Sequence, residues 1–291
     1  MSILILYVKK SSPYKMHNII ATSISNLGIS VGVMGVREFV SKNISDISAK
    51  YGTIFMVKNK GIQGDRLKQI SRYIKTFYYI NDAITSKRKW ILSQAADSCY
   101  VAGTSAYTCR KLSEYESKNV SQIYQGYNTE WFYPMNAPLM NKSIFIGNLH
   151  DKSRKKIMRD LAKKSFDITH INNIHPLDTN AYFNKYKINI NFCGSRGFSN
   201  RCIRILGSGG FLLSQYDEDL EHTFGNGCVL WKTTDDLIDK AKYYIDNDDE
   251  RNKIARIGHK LIQSYTWDDQ SKKILRAMDG EIIIDGSFLK K

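Results

Sequence analysis

No hydrophobic run in this 291-residue sequence approaches the roughly 20 residues that a membrane-spanning helix needs. The longest, such as Ile3 to Val8, has the length of a buried strand. Ahead of it there is neither a basic lead-in nor a small-residue cleavage site, which argues against a secretory signal and for a cytoplasmic protein. Cysteine is scarce and odd in number: Cys99, Cys109, Cys193, Cys202 and Cys228 show no C-x-x-C spacing. They read as reduced thiols, which excludes a disulfide framework and a zinc ribbon. Proline occurs four times, and two of the four fall within Tyr133–Pro138. Internal repeats, low-complexity tracts and a Walker phosphate loop are all lacking.

Positive charge is what the sequence has in excess. Lys and Arg number 43 against 28 Asp and Glu, a formal net charge of +15. Residues 1–135 hold 18 basic and 8 acidic side chains, residues 136–291 hold 25 and 20. The concentration in the first half points to an anionic partner, nucleic acid or a lipid surface. An abundance of lysine that serves only solubility is the plain alternative.

Strand-like and helix-like segments alternate throughout. Apolar runs at 2–8, 30–36, 51–57 and 75–80 are separated by helix-length stretches at 14–27 and 65–74. Helical 86–96, strand-like 98–103 and helical 105–117 follow. The proline segment is the natural linker, after which the pattern restarts at 143–146. The fold class is therefore α/β, with two Rossmann-like domains, 1–135 and 136–291, facing a cleft. This is the architecture of GT-B glycosyltransferases, although other two-domain α/β enzymes fit the pattern too.

The most informative stretch is Asn191–Leu213. A strand enters a loop with Gly194, Ser195, Arg196 and Asn200, Arg201 opens a helix, and Gly209-Gly210 leads to the next strand. A helix N-terminus offers free N–H groups, and Arg196, Arg201 and Arg204 add fork-shaped donors, so the expected ligand is phosphate. Surface arginines beside a tight turn are the simpler reading. A second anion candidate is Gly147-Asn148, which ends a strand ahead of Lys152-Ser-Arg154-Lys-Lys. The solvated face of a basic helix is its alternative. In the first half, Lys75–Asp82 is a strand that ends in an aspartate, placed as a general base would be, or as a helix cap. Lys87, Arg88 and Lys89 beyond it, with Lys58, Lys60, Arg66, Lys68, Arg72 and Lys75, form a basic rim suited to a phosphate backbone.

The run Arg201–Leu213 resembles the C-terminal glycosyltransferase domain of spore-maturation proteins and related bacterial and phage transferases, whose motif reads roughly Arg-Val-Phe-Glu-Ala-x-Ala-Cys-Gly-Gly-Phe-Leu-Leu. The likeness continues through Asp217–Glu221, Asp235-Asp-Leu, Asp248–Ala255 and Tyr265-Thr-Trp267. It implies a nucleotide diphosphate sugar as co-substrate, with Arg201 on the diphosphate and no tightly bound cofactor or metal. The family's ribose-binding glutamate falls on Arg204, a cation that cannot accept hydroxyl protons. Either Glu218 or Glu221 takes the ribose instead, or the donor is held differently and Arg204 adds to phosphate binding.

Gly147–Lys156 is similar to the phosphate-binding loop of the phage DNA β-glucosyltransferase, which implies donor contacts from Gly147, Asn148 and Arg154. The same resemblance places the backbone groups of Ile174 and His175 on the uracil ring and makes Asp82 the catalytic base. It further implies double-stranded DNA carrying a hydroxymethylated pyrimidine as acceptor, glucose or a pentose such as arabinose as the sugar, and the host cytoplasm as the compartment. Gln125–Asn128 resembles the crossing between domains in such transferases. A transferase acting on a surface polysaccharide, lipid-linked or spore glycan, and a non-catalytic nucleic-acid-binding protein, are the two competing readings.

Overall fold

A computed structural model describes residues 2–8, 14–57, 62, 64–81, 84, 90–115, 117–193 and 199–289. The chain divides into two units, one formed by residues 1–125 with 267–291 and the other by 126–266. The expected division at 135/136 is therefore displaced. The chain crosses at Gln125-Gly126, and the proline segment belongs to the second unit, where Pro134 lies against the backbone of Gly209.

Strand side chains point alternately to opposite faces, and both faces are apolar in the first unit. Its parallel sheet has the order β2-β1-β3-β4-β5-β6. The strands are β1 (Ser2–Tyr7), β2 (Ser30–Gly35), β3 (Thr53–Val57), β4 (Lys75–Ile80), β5 (Tyr100–Gly103) and β6 (Val120–Gln122). Leu4, Leu6, Ile54, Met56, Tyr78 and Ile80 enter one core with α2 (Val36–Ser41), α3 (Ile44–Lys50), α4 (Asp65–Tyr73), α5 (Trp90–Ala96) and α6 (Ala106–Glu114). The intervening Ile3, Ile5, Phe55, Phe77 and Tyr79 enter a second core with α1 (Met16–Asn26) and the last helix, Trp267–Met278.

That last helix is why residues 267–291 return to the first unit. Trp267, Ile274, Ala277 and Met278 bury against the Phe55–Phe77 face. Behind it, the Asp285 carboxylate accepts hydrogen bonds from the Tyr124 N–H (2.9 Å), Gln270 Nε2 (2.9 Å) and Lys273 Nζ (2.6 Å). The Gln122 N–H donates to Ile283 O at 2.7 Å, and the Asp285 N–H to Gln122 O at 2.9 Å, so the tail runs parallel to β6.

In the second unit the parallel sheet has the order β11-β10-β9-β7-β8. Its strands are β7 (Met140–Ile146), β8 (Ile168–Ile171), β9 (Tyr186–Asn191), β10 (Leu212–Gln215) and β11 (Val229–Trp231). Phe145, Ile188, Ile190, Phe192, Leu213 and Trp231 pack with Leu161 of α7 (Lys152–Lys163) and with α11 (Thr234–Asp246). Helices α8 (Thr179–Lys185), α9 (Asn200–Gly207), α10 (Glu218–Phe224) and α12 (Asp248–Ile262) complete the unit, and Trp267–Met278 is α13. The chain leaves β7 toward β8 on one side and returns to β9 on the other. The two connections diverge there, which opens a crevice beyond the strand ends. Among the described residues no helix is long and apolar enough to cross a membrane.

The Asp285 cluster predicts that Asp285→Ala removes the buried carboxylate shared by the Tyr124 N–H, Gln270 and the half-buried Lys273 ammonium. Stability should fall by about 3 kcal/mol, read as a lower urea midpoint with an unchanged slope.

Candidate functional site

The crevice at the end of β7 and β9 holds a cavity of about 260 Å³. Gly147 and Asn148 follow β7, and Asn172, Asn173 and Ile174 follow β8. Thr179 and Phe183 come from α8, and Asn200, Arg201 and Arg204 from α9. No carboxylate stands among these lining residues. Six of the sequence candidates, Gly147, Asn148, Ile174, Asn200, Arg201 and Arg204, are thus brought to one place.

Arg201 is the best-defined of them. Ser199 caps α9 by accepting the Arg201 N–H at 3.2 Å. The Arg201 guanidinium lies 4.7 Å from the Phe145 ring centroid, and its Nη1 donates to Asn191 Oδ1 at 2.7 Å. Gly147 makes room for it. With φ at 151°, a Cβ on Gly147 would collide with Arg201 Nη2. Backbone groups of Gly147 are themselves fixed, its N–H donating to Ile171 O at 2.9 Å and its carbonyl oxygen lying 2.8 Å from His170 Nε2.

Burial first, and then the neighbouring Arg154, push the Arg201 guanidinium down to about 10. It remains a cation at neutral pH, in a place where a positive charge is costly. Burial also lowers Arg204, whose guanidinium stands 5.4 Å from the Phe132 ring centroid. Arginines three residues apart share one helix face. The arrangement is one that an anion stabilises: two fork-shaped donors, a helix N-terminus and no acid in the lining.

Two donor-site expectations take a different form. Arg154 does not line the cavity. It is buried, 7% exposed, and donates Nη1 to Asn148 O at 3.3 Å, so it holds the loop from behind. His175 is exposed and also outside the lining. Its Nδ1 accepts the Leu177 N–H at 3.4 Å and caps a short turn at Pro176–Asp178. Glu218 and Glu221 are not in the lining either, and Glu221 accepts the Tyr216 hydroxyl at 2.8 Å. Asp82, Arg196, Lys58, Lys60, Lys87, Arg88 and Lys89 lie outside the described residues.

Of the wider basic rim, Lys68 faces Asp97 at 3.8 Å and Lys75 faces Asp279 at 3.6 Å. Arg66 and Arg72 line a separate, open groove of the first unit with Lys42 and Tyr73.

Sequence reasoning missed Asn172, Thr179, Phe183 and Phe145. Only the Asn172-Asn173 pair carried a local signal, a turn, and Asn173 indeed has φ of 55°. Among the described residues, no group of three or more His, Cys, Asp or Glu is gathered to hold a metal ion.

Residues 145–276, which include most of this site, match the family described as glycosyl transferase-like. The fold is GT-B. Sucrose-phosphate synthase from Thermosynechococcus elongatus superposes with a TM-score of 0.70 at 10% identity, over 94% of this chain and 97% of its own. Anabaena HepE in complex with UDP-glucose does so with 0.68 at 10% identity, over 97% and 100%. The N-terminal domain of Candida albicans trehalose-6-phosphate phosphatase gives 0.69 at 8% identity, over 97% of both chains. No curated protein matches at the level of sequence.

The packing predicts that Gly147→Ala displaces the Arg201 guanidinium and weakens binding of inorganic pyrophosphate at least about tenfold, near 1.4 kcal/mol. Arg204→Glu should abolish measurable binding, because it sets an acid among the anion's donors. Isothermal titration calorimetry reads both.

Proposed function

We propose that this protein is a glycosyltransferase that takes a nucleotide diphosphate sugar, UDP-linked, in the cavity between β7 and β9. The observation that carries the proposal is a lining without acids among the described residues at the point where the strand connections diverge, with Arg201 at the N-terminus of α9 and Arg204 one turn further on. The glycosyl transferase-like match over 145–276 and the UDP-glucose bound to HepE support it.

In this reading the acceptor hydroxyl gives its proton to the Asp82 carboxylate, and its oxygen attacks the anomeric carbon. The bond from that carbon to the diphosphate oxygen breaks, and the diphosphate leaves with the electron pair. Arg201, Arg204 and the N–H groups of α9 stabilise the charge that grows on the leaving group. Direct attack inverts the anomeric centre.

The acceptor we propose is a hydroxymethylated pyrimidine in double-stranded DNA. Its support is the basic surplus of residues 1–135, together with the resemblance around Asp82. Exposure of that surplus to an anionic glycan or lipid carrier is the competing use of the same charge.

The test is mass spectrometry of nucleosides from DNA containing 5-hydroxymethylcytosine or 5-hydroxymethyluracil, after incubation with the protein and a panel of nucleotide sugars. The expected result is a hexose or pentose mass on the modified base, reduced about 10²–10⁴-fold by Asp82→Ala with UDP binding retained. Slow hydrolysis of the nucleotide sugar without transfer moves the acceptor to a glycan or lipid. The absence of both transfer and hydrolysis, whatever the acceptor, refutes the transferase.

A further inference from the structure

Asn191 is the last residue of β9, wholly buried and outside the described cavity lining, and its side chain meets that lining at Arg201. Its amide is held at both ends. Nδ2 donates to Ser214 Oγ at 2.9 Å and to Cys193 Sγ at 3.2 Å. Ser214, also wholly buried, passes its own proton to Gln215 O at 3.0 Å. The donors run in one direction, so the amide cannot turn over without placing its NH₂ against a guanidinium. Oδ1 is thereby fixed toward Arg201 Nη1, 2.7 Å away.

Chemistry explains why an amide suits this position. A carboxylate here would orient Arg201 equally well and would cancel its charge. An aliphatic side chain would leave the charge and lose the orientation. An amide oxygen accepts one guanidinium hydrogen, sets the plane of the fork and leaves the net positive charge available. The Phe145 ring face and the bare Cα of Gly147 bound the guanidinium on its other sides, and neither neutralises it.

We infer that Asn191 is a positioning residue for the donor diphosphate, acting through Arg201 to aim it without discharging it. The inference rests on the diphosphate reading given above. Burial pushes the Cys193 thiol up to about 12, so it stays protonated and its Sγ serves only as a neutral acceptor for the Asn191 amide.

Four proteins test it by calorimetry with UDP and with uridine: wild type, Asn191→Asp, Arg201→Ala and the double variant. Asn191→Asp should lower UDP affinity at least tenfold and leave uridine affinity unchanged. The double variant should bind UDP no more weakly than Arg201→Ala alone. Equal losses for uridine and UDP, or a further loss in the double variant, would show that Asn191 does not act through Arg201 and overturn the inference. An Asn191→Asp protein that binds UDP as wild type does, while Arg201→Ala does not, overturns the positioning role alone. UDP binding that survives Arg201→Ala overturns the diphosphate reading and this inference with it. Asn191→Ser, which replaces the amide oxygen by a hydroxyl on a shorter side chain without adding charge, provides the same comparison should the aspartate variant not fold. Its expected UDP loss is smaller, and it again vanishes in the Arg201→Ala background.

Discussion

A guanidinium that has given up most of its water requires electrostatic stabilisation from elsewhere. Among the described residues, the second unit supplies Arg201 with an aromatic face and one amide oxygen, but no acid in the cavity lining. The rest of the site is arranged around that imbalance. β7 and β9 must be neighbours for Phe145 and Asn191 to reach the same side chain, and they are paired in register from Ser143 and Ile188 onward. Gly147 must lack a side chain, His170 and Ile171 hold its backbone, and Arg154 holds the next carbonyl, that of Asn148. Each of these is a modest interaction. Together they keep a positive charge in place ahead of any ligand, which is the condition for an anion to be bound by preformed donors.

Local pattern was enough to read the strands, because continuous apolar runs such as 2–8 and 75–80 have few other uses in a chain of this composition. Arg201 was legible for a similar reason: an arginine at the start of a helix just after a strand has a defined neighbourhood whatever the tertiary fold. Phe145 and Asn191 were not, since their roles depend on which strands are adjacent, and adjacency is a property of the sheet and not of either segment. The prolines misled in a specific way. Pro134 ends a tight segment, as proline does, but the segment packs on Gly209 and so belongs to the second unit. His175 stands between two residues of the cavity lining, Ile174 and Pro176, while its ring Nδ1 caps a turn.

Net charge was the most visible feature of the sequence and the least specific. A count of cations does not reveal which of them have partners, and Lys68 and Lys75 each face an aspartate across the surface of the first unit. Pairs of this kind, with the ammonium in water, contribute little to stability, about 1 kcal/mol or less. They do reduce the charge that an approaching polyanion meets. What remains near α4 is a groove with Lys42, Arg66 and Arg72, in which the Arg66 guanidinium is also turned toward the Val40 carbonyl. Two kinds of positive charge therefore stand out: two partly buried guanidiniums on a cavity with no acid in its described lining, and the Lys and Arg spread over the surfaces of both units.

The return of residues 267–291 to the first unit bears on how the chain reaches its native state. A ribosome delivers all of the second unit before it delivers α13, so the first sheet waits. During that interval the face carrying Phe55, Phe77 and Tyr79 has no cover on the α13 side, and the Tyr124 N–H has yet to meet Asp285. The later-synthesised unit, being contiguous, has everything needed to close its own sheet at once. The order of completion is thus inverted relative to the order of synthesis, and the half-covered aromatic face is where a nascent chain of this protein is most exposed to association with others.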